Sequence, residues 1–141
     1  MATQINPYLT FNGNCEEAFT CYKSVFGGEY LNVHRFKDLP PMPGMTIDDK
    51  HKERIMNIAL PINEANILYG SDGNPNFGQV PFGKNVTLSI STDSKEKADK
   101  IFNMLADGGT ISMPMGDMFW GAYFGMCDDK FGISWMISFT R

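Results

Sequence analysis

Polar and apolar residues alternate from the first turn of the chain onward. Over residues 5–11, Ile5, Leu9 and Phe11 fall on one side and Asn6, Tyr8 and Thr10 on the other, the period of a half-buried strand. The period then changes. Cys15, Ala18, Phe19, Tyr22, Val25 and Phe26 recur at helical spacing, Asn14 with Glu17 has the form of a capping box, and Gly27-Gly28 supplies the stop.

The same strand and helix are spelled a second time. Val86, Leu88 and Ile90 alternate with Asn85, Thr87 and Ser89; a helix is predicted from Asp93-Ser94 with Ala98, Ile101, Phe102 and Leu105 as its stripe, and Gly108-Gly109 follows. Glu16 and Glu96, Ala18 and Ala98, Tyr22 and Phe102, and Gly28 and Gly108 all stand at one offset of 80. Matches at a constant offset in two segments of like pattern predict an internal duplication.

After each helix the chain reads as three strands, at 30–36, 54–60 and 65–71, then at 110–115, 119–126 and 133–139. Each half is therefore a βαβββ unit, in a single α+β domain with modules at about 1–72 and 84–141. Residues 37–53, with Pro40, Pro41, Pro43 and Gly44, predict a mobile loop; residues 73–83, rich in Gly, Pro and Asn, predict the linker or a lid.

Composition narrows the class. A chain of 141 residues with 43% hydrophobic and 20% charged residues is long enough to bury its own core. No apolar run approaches the ~18 residues of a membrane span, and the first seven residues lack the pattern of a secretion signal, so neither membrane insertion nor export is expected. Three scattered cysteines, Cys15, Cys21 and Cys127, argue for free thiols in a reducing compartment, the cytoplasm. A net charge of -4 without a concentrated basic face argues against a nucleic-acid partner.

Reactive constellations are few. His34 and His51 are the sole histidines, one in a predicted strand and one in the charged loop, too few and too isolated to suggest a zinc site. No Gly-x-Ser-x-Gly elbow, P-loop or Gly-x-Gly-x-x-Gly occurs, and Asn85-Val86-Thr87 has the form of a glycosylation sequon inside a predicted strand. What does accumulate is soft and aromatic: Met113, Met115, Met118, Phe119, Trp120, Tyr123, Phe124, Met126, Phe131, Trp135 and Met136, with Gly116, Gly121 and Gly125 among them. Two readings stand, a core and the wall of a cleft for an irregular organic ligand.

Several segments together resemble a known family. Ile5-Asn6-Pro7-Tyr8-Leu9, Asn14-Cys15-Glu16-Glu17-Ala18-Phe19, Tyr22-Lys23 with Phe26-Gly27-Gly28-Glu29, Gly70-Ser71-Asp72, Met113-Pro114-Met115, Phe119-Trp120-Gly121, and Asp129-Lys130-Phe131-Gly132 with Trp135-Met136 look like the PhnB-like branch of the vicinal oxygen chelate (glyoxalase/bleomycin resistance/dioxygenase) superfamily. That branch overlaps a domain family named for 3-demethylubiquinone-9 3-methyltransferase. The resemblance implies paired βαβββ modules forming a cup-shaped mixed sheet with the helices outside, in a homodimer.

Metal-dependent members of the superfamily place His or Glu on the first and last strand of each module. The matching positions here are Asn6, Leu68, Asn85 and Met136, and none of these suits a hard or borderline divalent ion. No metal and no cofactor is therefore expected. The resemblance implies instead a metal-free protein that binds a small apolar or aromatic molecule, with Asn6, Tyr8, Asn57, Leu68, Asn85, Phe119, Trp120 and Met136 as pocket residues. For Asn6 and Asn85 an equal alternative is the capping of strand ends. Competing readings are an enzyme of the glyoxalase type, the methyltransferase of the family name, and a structural or regulatory dimer.

Overall fold

Two 12-residue helices begin at Cys15 and Lys95, again 80 positions apart, and each has four buried residues on one stripe. In α1 (Cys15–Phe26) these are Cys15, Ala18, Phe19 and Tyr22; in α2 (Lys95–Ala106) they are Ala98, Ile101, Phe102 and Leu105. Each stripe covers one face of a four-stranded sheet, which buries apolar area at about 25 cal/mol per Å2. The computed structural model describes residues 3–40 and 46–140, so part of the predicted 37–53 loop lies outside the described residues. Within the rest of it stand two single turns, at Phe36–Asp38 and Asp49–His51.

The chain divides into two units, Met1–Pro81 and Phe82–Arg141. In the first, β1 (Tyr8–Phe11), β2 (Asn32–Arg35), β3 (Ile55–Pro61) and β4 (Ile67–Asp72) lie in the order β1-β4-β3-β2. In the second, β5 (Leu88–Thr92), β6 (Thr110–Asp117), β7 (Ala122–Asp128) and β8 (Ser134–Thr140) lie in the order β5-β8-β7-β6. The two orders are the same βαβββ topology. Both sheets are mixed, the first strand of each unit running parallel to the last and the remaining pairs antiparallel.

Segment 73–81 belongs to the first unit. Gly73 N–H donates to the Phe11 carbonyl at 2.7 Å, and the Asn12 amide both donates to the Val80 carbonyl and accepts its N–H, at 2.9 and 2.7 Å.

Three predictions need correction. The α1 capping box is not made, because Asn14 makes no side-chain cap bond; the Asp72 carboxylate reaches over from β4 and accepts the N–H groups of Gly13 and Cys15. The first strand starts at Tyr8 and Ile5 is 96% exposed: the Asn6 side chain takes the Ile67 N–H, and Pro7 has no N–H to give β4. Likewise β5 starts at Leu88, opposite Trp135, because β8 begins at Ser134 and leaves nothing upstream for Val86 to pair with. Among the described residues no helix is long and apolar enough to cross a membrane.

Candidate functional site

Cross-strand register separates each sheet into a face under its helix and a face without one. A Cβ at Gly70 would fall 2.5 Å from the Phe19 ring, so Gly70 points at α1. By alternation Leu68 and Asp72 share that side, and so do their paired positions Leu60 and Phe11. Arg35 is also there, its guanidinium 2.6 Å from the Glu16 carboxylate on α1, which holds that carboxyl below its ordinary pKa. The other face carries Tyr8, Tyr69 and Ala59 in one cross-strand row, with Asn57 next along β3 and paired with His34.

Three of the expected pocket residues of this unit therefore share the helix-free side, and one does not. Tyr8 stacks on Tyr69 with ring centroids 6.4 Å apart at 13°. Asn57 is half-buried and its Oδ1 is buried without a hydrogen-bond partner among the described residues. Asn6 has the same parity as Tyr8, but its Oδ1 accepts the Ile67 N–H at 3.2 Å and so caps the start of β4. Leu68 is buried on the α1 side. Its neighbour Tyr69, which the family resemblance did not single out, pairs with Tyr8 and shares its face.

In the second unit the Tyr123 hydroxyl donates to Asp99 on α2, which marks Tyr123, Gly125 and Cys127 as the helix side of β7. Their register partners Phe139, Ile137 and Trp135 lie there too. The bond to Asp99, then burial, pushes the Tyr123 phenol up to about 12, and burial raises the Cys127 thiol to about 11. Trp135 is buried and its indole N–H donates to the Asp129 carboxylate at 2.8 Å.

The opposite face of this sheet is different. Met113 pairs with Met126, Met126 with Met136 and Met136 with Ser89, one row across all four strands. The next row is Gly116, Phe124, Ser138 and Ser91. Trp120 meets the Phe124 ring at 5.9 Å and 68°, and Phe119 meets Trp120 at 5.0 Å and 89°. At the far end, Asp128 accepts from the Lys84 ammonium at 2.7 Å and from the Ser134 hydroxyl at 2.6 Å, which lowers its pKa.

The methionine and aromatic cluster is divided between the two faces of the sheet. Parity sends Tyr123, Cys127 and Trp135 into the core and leaves Met113, Phe124, Met126 and Met136 on the helix-free face. Phe119 and Trp120 are not in a strand, as the sequence predicted, but form the β6–β7 turn, 98% and 55% exposed. Gly121, at φ 95°, closes that turn with its N–H on the Met118 carbonyl. Asn85 stands apart at an exposed bend before β5.

A superfamily metal does not fit these residues. Asn6 is engaged at a strand end, Leu68 lies under a helix, Asn85 is exposed on a bend, and Met136 offers only a thioether. Among the described residues no three His, Cys, Asp or Glu side chains gather as a metal site.

Comparison with known proteins agrees with the topology. The chain matches the family described as 3-demethylubiquinone-9 3-methyltransferase over residues 3–138. Protein YjdN of Escherichia coli K12 is 29% identical over 97% of this chain and 95% of its own. The crystal structure of protein PA1353 from Pseudomonas aeruginosa superposes with a TM-score of 0.87 at 40% identity, covering 99% of this chain and 98% of that one. A putative 3-demethylubiquinone-9 3-methyltransferase, PhnB protein, from Bacillus cereus gives 0.79 at 25% identity, over 98% and 100%. A glyoxylase/bleomycin resistance protein/dioxygenase domain from Frankia shares the fold at 13% identity, with a TM-score of 0.68 over 100% and 93%. The chain belongs to the 3-demethylubiquinone-9 3-methyltransferase family, and it shares its fold with the glyoxylase/bleomycin resistance protein/dioxygenase domain from Frankia.

Proposed function

We propose that this protein is a metal-free binder of small aromatic or apolar molecules, and that the helix-free sheet faces are its binding surfaces. The observation that carries the reading is the row Met113–Met126–Met136 beside Phe124 and Trp120. Thioethers are polarizable and adapt their rotamers to irregular shapes, and aromatic rings add edge-to-face contacts of about 0.5–1.5 kcal/mol each. In the first unit Tyr8, Tyr69 and Asn57 supply rings with polar ends and an amide for orientation. Substrate chemistry through a bound metal is not part of the proposal, because the residues at the superfamily's ligand positions are unsuited to one.

The free, buried thiols of Cys15 and Cys127 suit a reducing compartment, so the proposal places the protein in the cytoplasm. It takes over the homodimer from the family resemblance. A thermal-shift panel of bicyclic aromatic compounds, saturated analogues and S-adenosylmethionine tests the reading. Stabilisation by several aromatic compounds supports it. Stabilisation by S-adenosylmethionine alone, or by nothing in the panel, overturns it.

A further inference from the structure

Glycines within the sheets of this protein make room for something, with one exception. A Cβ at Gly70 would fall 2.5 Å from the Phe19 ring, and one at Gly125 would fall 2.5 Å from the Met115 sulfur. At Gly116, in the edge strand β6, no heavy atom of the described residues other than its two chain neighbours lies within 4 Å of the position a Cβ would take. Its φ is not among the positive ones, so no turn geometry demands glycine here. Glycine in a strand interior sacrifices conformational entropy and side-chain packing, and it marks a bulge or a close approach by something else; β6 does shift register between Met113 and Gly116, yet the φ of Gly116 is one that any residue adopts.

The register says where the gap faces. Gly116 pairs with Phe124, so the missing side chain would stand beside that ring on the helix-free face. Phe124 in turn takes Trp120 at 68°, and Trp120 takes Phe119 at 89°. The series of edge-to-face rings ends at Phe124, next to the gap.

Resting on the function proposed above, we infer that Gly116 is the specificity-determining residue of the second unit, a notch that seats one planar aromatic ring of the ligand against Phe124. A ring over Gly116 comes within the separation of about 4.5–7 Å at which aromatic pairs attract, and a side chain there takes the same space. A saturated ring of equal carbon count lacks the flat face and the quadrupole to which the Phe124 and Trp120 rings respond.

The test uses 2-naphthol and decahydro-2-naphthol, titrated by calorimetry into the wild-type protein, Gly116→Ala and Gly116→Val. The wild type is expected to bind 2-naphthol about tenfold more tightly than its saturated analogue, the upper range of one aromatic pair. Gly116→Val should lose that preference, with Gly116→Ala intermediate, and neither variant should melt below the wild type, because the added atoms enter empty space and β-branched residues favour strands. If the wild type binds both compounds equally, or the valine variant binds 2-naphthol like the wild type, the notch is wrong and the broader binding function stands. If the wild type binds neither these nor any other aromatic compound, the function itself falls. A valine variant that changes its mass in solution while its 2-naphthol affinity stays constant would assign the gap to a second chain and overturn the inference.

Discussion

Asp72, the last residue of β4, accepts the N–H of Cys15, the first residue of α1, at 3.0 Å across 57 positions of sequence. The same carboxylate accepts Gly13 N–H at 2.8 Å and, through its other oxygen, Ile55 N–H at 2.9 Å. It is buried, at 2% exposure. A negative charge at a helix N-terminus is stabilised both by the free amides and by the helix dipole. Each buried donor left unpaired costs about 1–3 kcal/mol, so Asp72→Ala should lose about 3–5 kcal/mol of stability in urea unfolding. A loss below about 1 kcal/mol would show that the cap does not hold α1, β3 and β4 together.

Gly70 sets a steric limit on the same side of the sheet. An alanine there would place its Cβ 2.5 and 2.7 Å from two Phe19 ring carbons, and Phe19 is boxed in by Phe11 and Tyr22 in edge-to-face contacts. Gly70→Ala is expected to cost about 1–3 kcal/mol by overpacking. Adding Phe19→Leu should make the double variant less destabilised than the sum of the singles, as contacting residues do.

How much of this could be read in the chain depends on the range of the interaction. The helix stripes and the offset of 80 are local patterns, and Ala18 and Ala98, or Tyr22 and Phe102, are buried as the repeat required. The start of a strand is not always local: Leu88 begins where β8 begins to pair, which no pattern around Val86 reports. Nor is the α1 cap, supplied by Asp72 in place of the nearer Asn14. At the candidate site, Leu68 faces α1 and its neighbour Tyr69 the other side, because in a strand one residue exchanges faces. Asp72 and Asp129, within the segments that mark the family resemblance, hold backbone amides and an indole in place.

The two tryptophans report the two faces of the second unit. Trp135 is buried with its indole on Asp129, and Trp120 stands at the β6–β7 turn. Trp120→Phe should leave a blue-shifted emission that acrylamide scarcely quenches; Asp129→Ala should move the remaining emission to the red and cost about 1–3 kcal/mol. Strong quenching of the Trp120→Phe protein would contradict the placement of Trp135.

Tyr123 gives the fold an alkaline limit. Its phenol is pushed up to about 12 by the bond to Asp99, so the protonated form is favoured in the folded state. A raised pKa contributes stability fully present below the unfolded value, near 10, and lost as pH rises through about 12. Unfolding free energy should fall between those values in the wild type and fall less steeply in Tyr123→Phe. Equal slopes would dissociate the phenol from Asp99.

Methyl resonances of the methionines test the binding face most directly. In a titration of protein labelled at the methionine methyl carbons with 2-naphthol, Met113, Met126 and Met136 should shift together by the ring current of the bound compound. Met115, whose sulfur packs over Gly125 on the helix side, should hold its position. Saturable shifts confined to the three-methionine row would place the ligand there, whereas binding that leaves all three unmoved would contradict the assignment of that face.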